Sequence, residues 1–190
     1  VVHGLTGVPL VYTEHNKQER YHFLTRWINK MTFGWQSLVI AVSRDVSDSI
    51  DKNIRSATPV RQVLNGVNID FFQRSKAEGK LLREKFNISP DTVVVGTVAV
   101  FRFQKRLKEW LEVFAEASHR HPNLKGIVVG DGFLKGELVD HIKSLQLQGK
   151  VMLAGLQTEV RPWYSAMDIF MMTSEFEGLP VALLEAMSME

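Results

Sequence analysis

The sequence predicts an α/β protein built on parallel sheets, and two observations lead to this prediction. Short apolar runs rich in β-branched residues alternate with longer segments whose apolar residues recur at helical spacing, as in consecutive βαβ units. The alternation starts again after a polar, irregular stretch at residues 65–74, so two separate cores are expected. No internal repeat or low-complexity segment is visible in the 190 residues.

The first half of the chain contains three predicted strands with helices between them. The first strand ends in the polar turn Glu14-His15-Asn16, and Ser43 is placed to cap the second helix. Asn65-Gly66 then forms a turn that opens the irregular stretch. The predicted bounds are strands 10–13, 37–42 and 59–64 and helices 19–33 and 43–55.

The second half repeats the alternation around a strongly apolar strand. The run TVVVGTVAVF at residues 92–101 is typical of a central parallel strand, buried on both faces. Near the end, Pro180 suits the first position of a helix, where its missing N–H costs nothing. The other predicted bounds are strands 126–129, 151–154 and 169–173 and helices 76–86, 107–119, 134–145 and 159–166.

Composition excludes several classes of protein. The residues are 45% hydrophobic and 23% charged, which is ordinary for a globular protein with a real core. The net charge of +2 is spread over interleaved acidic and basic residues, so nucleic acid is not an expected partner. There is no cysteine, and the apolar runs are shorter than the roughly 20 residues of a membrane-spanning helix. The lack of cysteine is compatible with a reducing compartment. No cluster with metal-ligand spacing occurs, so no metal site is expected.

Both ends of the chain suggest a longer parent protein. The chain starts without methionine at VVHGLTGVPLVY, where a strand is already forming, and it stops inside a helix that has no C-terminal stop signal. We therefore expect a fragment.

A ligand site is predicted where the last strand turns into the last helix. Such a helix directs free N–H groups at the crevice outside the carboxyl end of the strand, where open α/β sheets bind phosphorylated ligands. Glu177 and Glu185 flank this point, and both would repel phosphate. Each is better suited to accept hydrogen bonds from hydroxyl groups on either side of a diphosphate, as in a nucleotide sugar.

A basic loop is predicted at the same edge of the sheet. Arg102 and Lys105 follow the strand 92–101 in the sequence FRFQKR. A guanidinium and an ammonium group together can bind a diphosphate and stabilise the charge that develops as it leaves. The alternative is a solvated basic turn before a helix.

The segment EGLPVALLE, from Glu177 to Glu185, resembles the motif of two glutamates separated by seven residues in the retaining glycosyltransferases of family four, also called group 1. Further stretches occur in the order the family shows them, so the resemblance covers nearly the whole chain. These stretches are TEHN, IAVS, NGVN, FRFQKR, VVGDG, VMLAG and WYSAMDIF.

The resemblance implies the GT-B architecture, in which two Rossmann-like domains face each other across a cleft. Both domains would be incomplete here. Residues 1–74 would form the C-terminal half of the acceptor-side domain, residues 75–91 a linker and connecting helix, and residues 92–190 a donor-side domain truncated at its end.

The resemblance also implies a role for each candidate residue. Arg102 and Lys105 would hold the donor pyrophosphate, with Arg106 competing for the second role because the spacing is tighter than in many members. The ribose would bind Glu185, and the transferred sugar Glu177. The backbone N–H groups of Gly178 and Leu179 would complete the anion site. His15 would position the donor sugar and acceptor hydroxyl rather than act as a general base; its alternative role is to satisfy loop backbone.

Two further features are weaker. Gly130-Asp131-Gly132 is a tight turn, and its backbone at Gly130 and Gly132 has no side chain to keep a nucleotide away. The sequence has no dinucleotide-binding fingerprint at this point, so NAD is not expected. The apolar stripe of helix 19–33 is expected to pack on its own sheet. Peripheral contact with a membrane through Trp27, Phe33 and Trp35 is the alternative.

The resemblance implies a retaining, metal-independent transfer of a sugar from a UDP- or GDP-sugar to a hydroxyl group. The acceptor would be a saccharide or a lipid-linked molecule. The reaction would take place in the cytoplasm or at the cytoplasmic face of a membrane. No cofactor is expected beyond this donor. Another GT-B nucleotide-sugar enzyme, such as an epimerase, and a non-catalytic nucleotide-sugar binding module are the alternatives. A glycosidase pair of carboxylates is disfavoured because a hydrolase has no need of the basic loop.

Overall fold

The computed structural model describes residues 6–189 and divides them into two compact units. The first unit contains the chain up to Gly66 together with Glu177–Val181, and the second contains Val67–Phe176 and the residues from Ala182 onward. The chain thus passes from one unit to the other within the irregular stretch that separates the two predicted cores. The assignment of an acceptor side and a donor side stays a prediction.

The first unit is a three-stranded parallel sheet in the order β1-β2-β3. A small core around Val39 and Ile50, both almost fully buried, joins the sheet to the helix Arg44–Asn53. Ser43 accepts a hydrogen bond from the Val46 N–H at 3.2 Å, which confirms the predicted cap. The elements are β1 Val11–Glu14, α1 Phe23–Thr32, β2 Leu38–Ala41, α2 Arg44–Asn53 and β3 Val60–Gln62.

Helix α1 differs from the prediction in length and in packing. It is flanked by short 3₁₀ turns at Gln18–Arg20 and Phe33–Trp35, and no residue within it is buried. The expectation that its apolar stripe packs on the sheet is wrong: Trp27 is 58% exposed. Phe33, at 2% exposure, fills the core instead, because the chain turns inward only after the helix ends.

The second unit is a four-stranded parallel sheet in the order β6-β5-β4-β7. Neighbouring residues of β4 face opposite sides: Val95 packs with Trp110 and Phe114, whereas Val94 packs with Trp163 and Tyr164. Helices therefore cover both faces of the sheet, which explains the continuous apolar character of its strands. The strands are β4 Val93–Val98, β5 Leu124–Val129, β6 Val151–Gly155 and β7 Ile169–Phe170.

The helices of this half match the predicted pattern, with small shifts at their ends. Helix α7 begins at Val181, so Pro180 precedes its first residue rather than occupying it. The bounds are α3 Lys76–Lys85, α4 Leu107–Arg120, α5 Lys135–Ser144, α6 Arg161–Ala166 and α7 Val181–Ser188. None of the helices described between residues 6 and 189 has both the length and the apolar character needed to cross a membrane.

Strand β7 is two residues long, whereas residues 169–173 were predicted. The Met171 carbonyl, which would extend the strand, accepts a hydrogen bond from the Trp110 indole at 3.0 Å. The Thr173 hydroxyl lies 2.9 Å from the Arg106 carbonyl. The Trp110 side chain therefore takes one carbonyl that a longer ladder would use.

Close packing of α3 on α6 depends on Gly79. A Cβ atom at this position would collide with the backbone carbonyl of Ser165. The helices are also joined by an ion pair in which Arg161 donates two hydrogen bonds to Glu78, at 2.5 and 3.1 Å. The glycine lets the two backbones approach within reach of this pair.

We expect Gly79→Ala to lower the free energy of unfolding by about 1–3 kcal/mol, because overpacking outweighs the gain in helix propensity of about 1 kcal/mol. Gly136→Ala in α5 is the matched control, since a Cβ there meets nothing within 4 Å. It should leave stability unchanged or slightly raised. Urea unfolding of both variants tests the difference, and equal stability would contradict the packing role of Gly79.

Candidate functional site

The strand order of the second unit contains a switch point. The chain builds β4, β5 and β6 outward in one direction and then returns to place β7 on the other side of β4. Open α/β sheets bind ligands at such a switch point, outside the carboxyl ends of the strands. The Arg102 loop follows β4, and residues 171–176 follow β7.

The Arg102 loop is firmly held at its base. Phe101 is fully buried, and its N–H donates to the Asp131 carbonyl at 2.9 Å. Arg102 itself is exposed, and its side chain makes no hydrogen bond or ion pair with residues 6–189. An anchored backbone therefore presents an unpaired guanidinium group at the switch point.

Gly130 and Gly132 pack the loop after β5 against this base. A Cβ atom on Gly130 would collide with the Ala99 carbonyl, and one on Gly132 would lie 2.7 Å from the Phe101 carbonyl. Both residues also have positive φ, at 133° and 158°. Their structural role is thus to bring two backbones together; approach of a nucleotide to the same turn stays a prediction.

Arg106 has a different environment from Arg102. It adopts a left-handed conformation with φ of 47°, and its guanidinium lies 3.3 Å from a Glu175 carboxylate oxygen and 3.6 Å from one of Glu109. The Glu175 N–H also donates to the Gln104 carbonyl at 2.8 Å. These contacts join the loops after β4 and β7. They also place negative charge beside Arg106.

Glu185 is oriented by Tyr164, which is not among the predicted site residues. Its Oε2 lies 2.7 Å from the Tyr164 hydroxyl, which also lies 3.1 Å from the Ala182 carbonyl. Burial, and then the hydrogen bond with Glu185, raise the pKa of Tyr164, so the hydroxyl remains a donor. Oε1 accepts no hydrogen bond from the described part of the chain and is available to a ligand hydroxyl.

The remaining candidate residues lie in the first unit. Gly178 sits against the His15 loop so closely that a Cβ atom would collide with the His15 carbonyl, and Asn65 donates to the Leu179 carbonyl at 2.8 Å. The structure therefore brings His15 together with the turn that begins at Glu177. The first unit holds His15, Glu177, Gly178 and Leu179, and the second holds Arg102, Lys105, Arg106, Gly130, Gly132 and Glu185.

No three His, Asp or Glu side chains between residues 6 and 189 are grouped so that they could hold a metal ion. Within the second unit, the exposed Arg102 guanidinium and the Glu185 carboxylate are groups that can bind a phosphate and a hydroxyl group, respectively.

Comparison with known proteins identifies relatives over more than nine-tenths of the chain. An uncharacterized glycosyltransferase of Methanocaldococcus jannaschii is 26% identical over 179 residues, which are 93% of this chain and 43% of that protein. The alpha-monoglucosyldiacylglycerol synthase of Streptococcus pneumoniae is 23% identical, over 95% of this chain and 44% of its own length. The chain therefore spans less than half the length of these curated relatives.

Solved structures show the same fold. Anabaena HepE, crystallised in complex with UDP-glucose, superposes with a TM-score of 0.88 over 98% of this chain and 52% of its own, at 22% sequence identity. The likeness confirms the predicted α/β architecture of the GT-B type, present here over about half of its full extent. The family model described as "Glycosyl transferases group 1" matches residues 79–190, which is more than half of the chain. This chain therefore belongs to the glycosyl transferases group 1 family.

Proposed function

We propose that the complete protein transfers a sugar from a UDP-sugar to a hydroxyl acceptor, with retention of configuration at the anomeric carbon and without a metal ion. The observation that carries the proposal is the unpaired Arg102 guanidinium, held by an anchored loop at the switch point of the second unit. Anabaena HepE, which shares the fold, was solved in complex with UDP-glucose, and this supports uridine as the base.

In this proposal the second unit binds the nucleotide. Arg102 and Lys105 contact the pyrophosphate and offset the negative charge that grows on it as the sugar leaves. Arg106 competes with Lys105 for the second of these roles. The free Oε1 of Glu185 accepts a hydrogen bond from a ribose hydroxyl, while Tyr164 fixes the carboxylate from the other side. Gly130 and Gly132 shape the backbone beneath the nucleotide.

The first unit supplies the groups near the transferred sugar. Glu177 accepts hydrogen bonds from the sugar hydroxyls, and the N–H groups of Gly178 and Leu179 donate to the diphosphate. His15 positions the donor sugar and the incoming hydroxyl. The chemistry itself is attack on the anomeric carbon from the face that the diphosphate leaves, with the leaving phosphate taking the acceptor proton. The protein contributes orientation and charge stabilisation.

The acceptor in this proposal is a saccharide or a lipid-linked hydroxyl. The similar Streptococcus pneumoniae protein is an alpha-monoglucosyldiacylglycerol synthase, which supports including glycerolipids among the acceptors. The setting is then polysaccharide or glycolipid synthesis at a membrane surface. The exposed apolar stripe of helix α1, with Arg26 and Lys30 beside it, would contact that surface.

The test uses the complete protein, UDP-sugars with α configuration, and a panel of saccharide and glycerolipid acceptors, with and without EDTA. The proposal predicts release of UDP and an α-linked product, seen by NMR, at a rate that EDTA does not change. A β-linked product or loss of rate in EDTA would contradict the retaining, metal-independent mechanism. Conversion of the free UDP-sugar to an epimer, or binding without turnover, would point to the two alternative functions.

A further inference from the structure

Glu14 is a fully buried carboxylate directly before His15. Its relative exposure is 0%, although it lies at the end of strand β1, in a segment whose sequence predicts a polar turn. Burial of an ionised carboxylate is costly unless each oxygen has hydrogen-bond donors. The arrangement therefore requires a reason beyond packing, since an apolar side chain would fill the same space without that cost.

Glu14 receives donors from both sides of the His15 loop. Oε1 accepts from the Tyr21 hydroxyl at 2.7 Å and from the Asn16 backbone N–H at 3.1 Å. Oε2 accepts from the Gln18 side-chain amide at 2.6 Å, with the Tyr12 hydroxyl at 3.5 Å. The carboxylate thus joins strand β1 to a loop that has no regular structure apart from one 3₁₀ turn.

The same loop is tied to the rest of the first unit at two further points. The Gln18 backbone N–H donates to the Ser49 hydroxyl of α2 at 2.8 Å. At the other end, the His15 carbonyl lies against Gly178 so closely that no side chain fits there. A shift of the loop would therefore move both His15 and the turn that begins at Glu177.

We infer that Glu14 is a positioning residue, whose buried carboxylate holds the backbone of His15, and through it the Gly178 turn, in the geometry that sugar transfer requires. The inference rests on the proposed function of His15 and Glu177. Glu14 itself touches no substrate, because its side chain is enclosed by the loop.

The Tyr12 and Tyr21 hydroxyls are the donors in their hydrogen bonds with Glu14. Burial, and then the hydrogen bond with Glu14, raise the pKa of Tyr21 above its ordinary value. Burial also raises the pKa of Tyr12. Both hydroxyls therefore stay protonated at physiological pH, so the carboxylate can be the acceptor throughout.

The decisive variant is Glu14→Gln in the complete protein. Glutamine has nearly the same shape, but an NH₂ group replaces one of the two carboxylate oxygens. That group cannot accept a hydrogen bond, so either Gln18 or Tyr21 loses its acceptor. We expect kcat to fall at least tenfold, with a smaller change in KM for the UDP-sugar, because most of the proposed nucleotide ligands lie in the second unit. Amide hydrogen exchange at residues 15–22 should become faster. Adding His15→Ala should then cost less than it does in the wild-type background.

Two further variants keep the inference falsifiable. Tyr21→Phe removes one donor and leaves the carboxylate in place, so a smaller fall in kcat is expected with an intact fold. Asp51→Asn is the matched control: Asp51 is an exposed carboxylate of α2 in the same unit and takes no part in the contacts that hold the His15 loop. Asp51→Asn should leave kcat near wild type.

Three results would overturn the inference. Unchanged kcat and exchange in a folded Glu14→Gln protein would show that the carboxylate positions nothing. Equal loss of kcat and of UDP binding in Glu14→Gln, together with a lower Tm in both Glu14→Gln and Tyr21→Phe, would show that Glu14 contributes to stability only. If His15→Ala has no effect on transfer, the proposed role of His15 fails first. If His15→Ala is slow and Glu14→Gln is normal, only the present inference fails.

Discussion

Arg102→Ala is expected to lower kcat/KM of the complete protein about 100- to 1,000-fold, the range for removal of one group that stabilises charge in a transition state. The side chain is exposed and makes no hydrogen bond or ion pair with residues 6–189. Its removal should therefore leave Tm unchanged. A large loss of activity without loss of stability is the signature of a group held in place for a ligand.

Arg120→Ala is the matched control for Arg102→Ala. Arg120 is also an exposed arginine of the second unit, but it is paired with Glu116 on the surface of α4 at 2.6 Å. Steady-state kinetics of the two variants with a UDP-sugar should show a loss for Arg102→Ala alone. Equal kcat/KM in both variants would remove Arg102 from the site.

Gly178→Ala is expected to lower kcat about 100-fold, although it adds a single methyl group. The new Cβ atom would collide with the His15 carbonyl and approach a Val42 methyl group to 3.1 Å. Since a backbone carbonyl cannot rotate away as a side chain does, the turn must move. A displacement on the order of 1 Å within a reacting complex can cost about 100-fold in rate.

The matched control for Gly178→Ala is Gly34→Ala in the same unit, where the nearest atom to an added Cβ is the Ser56 hydroxyl oxygen at 4.0 Å. Its kcat should equal that of wild type. Stopped assays on both variants, with circular dichroism to verify folding, compare them directly. A fully active Gly178→Ala protein would mean that the turn and the His15 loop need not keep their relative position during transfer.

The fold could be predicted because its signals are local. The β-branched run before Phe101 and the helical spacing after Leu107 each report one element, and alternation of such elements predicts parallel sheets. Local patterns do not show which element packs against an apolar face. The stripe of α1 predicts that one side of the helix is apolar, but its exposure depends on which elements lie nearby.

The site was predictable only in part, for a similar reason. Loops at the carboxyl ends of strands can be located from the sequence, and Arg102 and Glu177 lie in such loops. Tyr164 and Glu14 were missed because their roles come from contacts rather than spacing. Tyr164 meets Glu185 from 21 positions away. The burial of Glu14 depends on donors that only the folded loop assembles.

The glycines illustrate the same limit. Gly178 was predicted to provide a backbone N–H for phosphate, and Gly130 and Gly132 to let a nucleotide approach. The structure shows a tight backbone contact at each of these positions. A tight turn predicts that glycine is needed, but only the tertiary structure shows which atom occupies the space of the missing side chain.

The central claim is that the second unit binds the nucleotide of a UDP-sugar through Glu185 and the basic loop. It is tested most directly by thermal unfolding of the complete protein with UDP-, GDP- and ADP-sugars, in wild type, in Glu185→Ala and in Glu116→Ala as an exposed control. A ligand at about 100 times its Kd adds roughly 2.7 kcal/mol to stability, so the Tm should rise by a few degrees. The account predicts this rise with the UDP-sugar in wild type and Glu116→Ala, and its loss in Glu185→Ala. A Tm that no nucleotide sugar raises, or an equal rise in Glu185→Ala, would contradict it.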